Sequence, residues 1–113
     1  MIVGIGIDLV DVPRFETKLS TIGERVFTTA ELQARPESLA GYWAAKEAVI
    51  KAIGNPEGFN FQEVEVVKDE HGKPHIQVAG KTKELTEAMG ISKWHLSISH
   101  DGQMAIAMVI AEN

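Results

Sequence analysis

Apolar and polar positions change period several times along this chain, and each change marks an element. From Ile2 to Leu9 the run IVGIGIDL sets glycines among large aliphatic residues, close to the two-residue period of a strand. A strand there turns Ile2, Gly4, Gly6 and Asp8 to one face and Val3, Ile5, Ile7 and Leu9 to the other. Two glycines on one face predict the close approach of another element. Asp11 then stands where a helix needs a cap, with Pro13 in the first turn. The helix it predicts carries Arg14, Phe15, Lys18 and Leu19 and ends near Gly23. Thr28 and Glu31 have capping-box spacing for a short second helix, which Pro36 stops.

A longer helix is predicted from about Glu37 to Ile53, closed by Gly54. Its apolar stripe is Tyr42, Ala45, Val49, Ala52 and Ile53. At about 100° per residue, Glu47 and Lys51 fall nearly opposite that stripe, with Trp43 on their side. A hairpin follows. Val64 and Val66 alternate with Glu63 and Glu65, HGKP turns the chain, and HIQV returns. Residues 81–89 read as a helix closed by Gly90. The strands HLSIS and MAIAMVIA, joined through HDGQ, complete the chain. The order β-α-α-α-β-β-α-β-β, with antiparallel hairpins among helices, predicts a small α+β fold rather than a doubly wound parallel sheet.

Composition narrows the function classes. A length of 113 residues suits a single domain over 1–113. The absence of cysteine removes disulfides, thiol nucleophiles and thiolate metal sites, and agrees with a cytoplasmic setting. A net charge of -5 argues against general nucleic-acid binding. The apolar start MIVGIGIDLVDV is too short to span a bilayer and carries Asp8 and Asp11, so neither a leader nor a membrane partner is expected. With so small a core, area buried between subunits would add stability.

Four groups of residues carry candidate chemistry. Asp8 sits inside an apolar run, at the end of the predicted strand, where a buried carboxylate must be paired, hydrogen-bonded or metal-bound; a solvated turn residue is the alternative. Glu47 four residues before Lys51 is the favourable order for an ordinary surface pair, worth about 0.2–0.5 kcal/mol. If Asp8 faces Glu47, however, the two carboxylates with waters and a substrate phosphate suit magnesium, and Lys51 can neutralise phosphate charge. In HLSISH, His95, Ser97 and Ser99 share one face of a strand and Leu96, Ile98 and His100 the other. That spacing offers no Ser-His dyad, and His100 opens a turn, where functional groups concentrate. Arg14 and Lys18 are mildly repulsive neighbours on a helix, a surface suited to an acidic partner or merely a solvated one. Gly4-x-Gly6 lacks the third glycine and following helix of a dinucleotide fingerprint.

Taken together, G-I-D-L at Gly6–Leu9, W-A-A-K-E-A-V-I-K at Trp43–Lys51, G-K-P at Gly72–Pro74 and H-L-S-I-S-H-D at His95–Asp101 resemble the holo-acyl-carrier-protein synthases. These are the short, bacterial-type 4'-phosphopantetheinyl transferases, and the resemblance runs from Gly4 to about Ile110. It implies a magnesium-dependent transferase that moves phosphopantetheine from coenzyme A to a serine of apo acyl carrier protein and releases adenosine 3',5'-bisphosphate. It puts the metal carboxylates on Asp8 and Glu47, a phosphate lysine on Lys51, a coenzyme A residue on His100 and a carrier contact on Arg14, with Lys18 beside it. It also implies a cytoplasmic homotrimer with active sites between subunits, in lipid metabolism and fatty acid biosynthesis in particular. A magnesium-dependent nucleotide-binding or phosphoesterase-like module, and a non-catalytic trimeric interaction domain, are the rival readings.

Overall fold

The computed structural model describes residues 1–55 and 57–113. Strand β1 (Ile2–Asp11) leads into helix α1 (Val12–Val26), then a 3-10 turn at Glu31–Gln33 and helix α2 (Pro36–Ile53). A second 3-10 turn (Phe61–Glu63) precedes the hairpin of β2 (Val64–Lys68) and β3 (Pro74–Val78). Helix α3 (Gly80–Ala88) and the strands β4 (Lys93–Asp101) and β5 (Met104–Glu112) complete the order. The three-stranded sheet runs β1-β5-β4, antiparallel throughout, and β2-β3 forms a separate two-stranded ribbon. This is the α+β arrangement of hairpins and helices that the sequence predicts.

Helix α2 is the axis of the molecule. It lies on the sheet against β1, and the glycines allow it to lie close. A Cβ on Gly6 would fall 1.8 Å from the Ala48 carbonyl oxygen, and one on Gly4 2.0 Å from that of Ala52. Ala44, Ala45, Ala48 and Val49 are fully buried, as are Ala105, Ala107, Val109 and Ala111 on β5. One apolar cluster gathers Phe15, Phe27, Leu39 and Tyr42 near α1; the other gathers Val49, Ile53, Val64 and Ile91.

Several boundaries differ from the sequence reading. Asp11 caps α1 as expected, accepting the Arg14 N–H at 3.0 Å, but the helix continues past Gly23 to Val26. Gly23 keeps ordinary helical backbone, and its carbonyl accepts the Phe27 N–H at 2.9 Å. The capping box forms in both directions: Thr28 N–H donates to Glu31 Oε1 at 2.9 Å, and Glu31 N–H to Thr28 Oγ1 at 3.1 Å. Yet it opens only one 3-10 turn, because Arg35 precedes a proline and is held extended, with φ -72° and ψ 156°. Pro36 then starts α2, one residue earlier than expected, and Gly54 closes it with φ +82°.

The expected outer face of α2 is also narrower than the stripe implied. Alanines hide how much of the helix is covered, and Lys46, between the stripe and Glu47, has no exposed surface. Conversely, the large aliphatic face of β1 points away from the helix. Val3, Ile5, Ile7 and Leu9 are exposed, Leu9 by 60%, and Met108 of β5 joins them. Among the described residues no helix is long and apolar enough to cross a membrane.

Candidate active site

Asp8 occupies the next inward position of β1 after Gly4 and Gly6. Where the strand passes Ala48, the missing Cβ atoms give way to a carboxylate, and Glu47 is the neighbouring residue on α2. Both line an open groove of about 420 Å³ with Arg14, Phe15, Lys18 and Trp43. The Trp43 ring stacks on Phe61 at 5.2 Å and leans on Phe15 at 6.5 Å, so the wall behind Glu47 is rigid aromatic packing. Arg14 and Lys18 enter from the first turns of α1, whose start is fixed by the Asp11 cap. The expected juxtaposition of Asp8 and Glu47 is thus present.

The electrostatics are those of crowded negative charge. Burial, then the nearby Asp8 charge, push the Glu47 carboxyl above its ordinary value of 4.5, and Lys51 opposes them. Lys51 does not take Glu47 as its ion-pair partner. Its Nζ donates to Asp8 Oδ1 at 3.0 Å and to the Ile7 carbonyl at 3.0 Å. The ordinary four-apart surface pair therefore does not form; Lys51 bridges from helix to strand instead.

His100 is not in this groove. It faces inward with Leu96 and Ile98, as the strand period requires, and shares a hydrogen bond with the Glu37 carbonyl at 2.8 Å through Nε2. With Ser38, Tyr42, Lys68, Gly72 and Pro74 it lines a separate cleft of about 180 Å³. The G-K-P turn and the His100 strand end, distant in sequence, thus meet at one place. His95 lies on the opposite face of β4, 3.0 Å from Glu112.

Lys46 is the residue that the sequence reading missed. Its ammonium is buried 2.9 Å from Glu31 Oε1, a carboxylate that is itself fully covered. It also donates to the carbonyls of Phe61, at 2.9 Å, and Val64. Burial lowers its proton affinity, and Glu31 opposes that shift. The Thr28–Glu31 capping box was legible in the sequence, but the burial of its carboxylate, which calls for a cation, was not.

Among the described residues, no group of three or more histidine, aspartate or glutamate side chains could hold a metal. Two hard carboxylates beside an open groove nevertheless fit magnesium, which keeps several waters and uses one or two protein carboxylates.

This geometry belongs to a recognisable class. Residues 4–109 match the family model of the 4'-phosphopantetheinyl transferase superfamily, and the chain belongs to that superfamily of enzymes. Within it, the chain is 46% identical over 115 residues to a holo-[acyl-carrier-protein] synthase of Kocuria rhizophila, covering 99% of this chain and 94% of that one. The fold superposes on the holo-[acyl-carrier-protein] synthase of Neisseria meningitidis with a TM-score of 0.90, at 34% identity and complete coverage of both chains. A Chronobacterium ammoniagenes ACPS–CoA complex aligns with a TM-score of 0.82 at 38% identity, covering 96% of this chain and 95% of that one.

Proposed function

We propose that this chain is a holo-acyl-carrier-protein synthase, a single domain that transfers 4'-phosphopantetheine from coenzyme A to a serine of apo acyl carrier protein. The carrying observation is one groove that holds Asp8 and Glu47 against the basic first helix. The relatives' names and the coenzyme A complex of one of them support the same reaction.

In the reaction the serine hydroxyl gives its proton to a base in the groove, a water or a carboxylate such as Glu47, and its oxygen bonds to the phosphorus of the phosphopantetheine arm. The pyrophosphate P–O bond breaks, and adenosine 3',5'-bisphosphate leaves. Phosphoryl-type transfer needs positioning and charge neutralisation more than covalent help. Asp8 and Glu47 would hold magnesium, which would supply such neutralisation. Lys51, whose Nζ is bonded to Asp8 and to the Ile7 carbonyl of β1, offers a cation to the phosphates. Arg14 and Lys18 present positive charge along the groove to an acidic carrier.

Assembly follows from the same reading. The His100 cleft and the Asp8 groove are separate within one chain, while the outer sheet face exposes Val3, Ile5, Ile7 and Leu9. A contiguous apolar face of this kind marks an interaction surface. A homotrimer that buries it, with each site built between subunits, accounts for both facts.

Thermal unfolding separates this function from its rivals. Ligands of the native state stabilise it by mass action, by about 2.7 kcal/mol at a hundred times Kd. Coenzyme A is expected to raise Tm by several degrees with magnesium, and far less without it. Hydrolysis of coenzyme A in the absence of any carrier would favour the phosphoesterase-like rival. No magnesium-linked shift would favour the non-catalytic one.

A further inference from the structure

Helix α2 rests on the sheet through small residues. Ala48 and Ala52 meet Gly4 and Gly6 backbone to backbone. Such a contact is close, but it has few knobs to define rotation of the helix about its axis. Lys51 bridges one side of the helix to Ile7 and Asp8, and Trp43 stacks on Phe61; the directional contact buried on another side is Lys46, the residue next to Glu47. Its buried ammonium is held by Glu31 at 2.9 Å and by the carbonyls of Phe61 and Val64. Glu31 is in turn fixed by the N–H groups of Thr28, at 2.9 Å, and Val66, at 2.8 Å. Among the described residues no buried side-chain polar atom lacks a partner, so the network is complete.

We infer that Lys46 and Glu31 are positioning residues that set the rotation of α2 and thereby the place of the Glu47 carboxylate in the groove. The leverage is large. With side chains reaching a radius of about 5–6 Å, a rotation of ~10° moves a carboxylate by about 1 Å. A misplacement of that size can cost about a hundredfold in rate. A buried ion pair is weak evidence for stability, and apolar replacements can match it. A role in orientation explains charge here where an aliphatic pair would pack.

The inference rests on the transferase reading for its rate readout, so the test carries a second readout that does not. Lys46→Met combined with Glu31→Gln removes both charges together and avoids stranding either one. In the folded variant, kcat is expected to fall tenfold to a hundredfold and the half-saturating magnesium concentration to rise severalfold. KM for coenzyme A should stay within about twofold. Mn2+ titration followed by electron paramagnetic resonance should show weaker binding than in the unaltered protein. Wild-type kcat and Mn2+ affinity in the folded variant would overturn the inference. Should the double variant not fold, Glu31→Gln alone, which keeps the Lys46 bonds to both carbonyls, is read by the same two measurements. If the unaltered protein itself transfers nothing, the transferase reading fails, and the Mn2+ comparison still decides this one.

Discussion

At the scale of single residues, small differences in side-chain size and charge decide where the site forms. Gly6 lets β1 touch the backbone of α2, and a Cβ there would overlap the Ala48 carbonyl at 1.8 Å. Gly6→Ala must push strand from helix and is expected to destabilise the protein by about 1–3 kcal/mol, the usual cost of overpacking. Urea unfolding measures it, and an unchanged midpoint would contradict the packing described. Glu47→Gln keeps shape and removes charge. It is expected to lower magnesium-dependent transfer at least a hundredfold, about 2.7 kcal/mol of barrier, with little change in Tm. A steady-state assay over magnesium concentration checks it. Lys51 shows what the sequence could not supply. Its spacing from Glu47 was legible, but its choice of Asp8 depends on how far β1 lies from α2.

At the scale of elements, the sequence was legible wherever the local signal and the tertiary environment agreed. Asp11, Gly54 and the HGKP turn each mark a boundary by backbone chemistry alone. Other features needed the neighbours: one 3-10 turn stands where a helix was expected, because Pro36 follows the capping box too soon. The burial of Lys46 was invisible because a lysine between an apolar stripe and a glutamate looks like surface. The start of α3 shows a further device. Gly80 at φ +61° leaves room for the Glu63 carboxylate, which accepts from Thr82 N–H at 3.1 Å and Thr82 Oγ1 at 2.7 Å. Those bonds hold its pKa below the ordinary 4.5. A depressed carboxylate contributes stability above its unfolded pKa and loses it as pH falls through the folded value. Chemical unfolding followed from pH 7 to pH 3 should therefore show stability falling below about pH 4.5. Glu63→Gln should flatten part of that fall, and an identical profile would exclude Glu63 as a contributor. Asp69 and Glu112, held low by His75 and His95 respectively, contribute in the same direction, and Glu47, held high by burial, acts against them.

At the scale of the whole molecule, the proposed trimer rests on an apolar outer sheet face and two separate clefts. Ile5 is 59% exposed in the single chain, so Ile5→Asp should leave the subunit folded while placing a charge in the proposed subunit contact. Light scattering is expected to give a trimer mass for the unaltered protein and a monomer mass for the variant, with transfer activity lost alongside. A monomeric unaltered protein with full activity would remove the intersubunit site. The reaction itself is read from the mass of the carrier. The protein is incubated with coenzyme A, magnesium and an apo acyl carrier protein, and the intact carrier is weighed. A gain of one phosphopantetheine per carrier is expected, absent when Asp8→Asn or Glu47→Gln replaces the unaltered enzyme. An unchanged carrier mass with folded enzyme across several acidic carriers, or an undiminished gain with both variants, would contradict it.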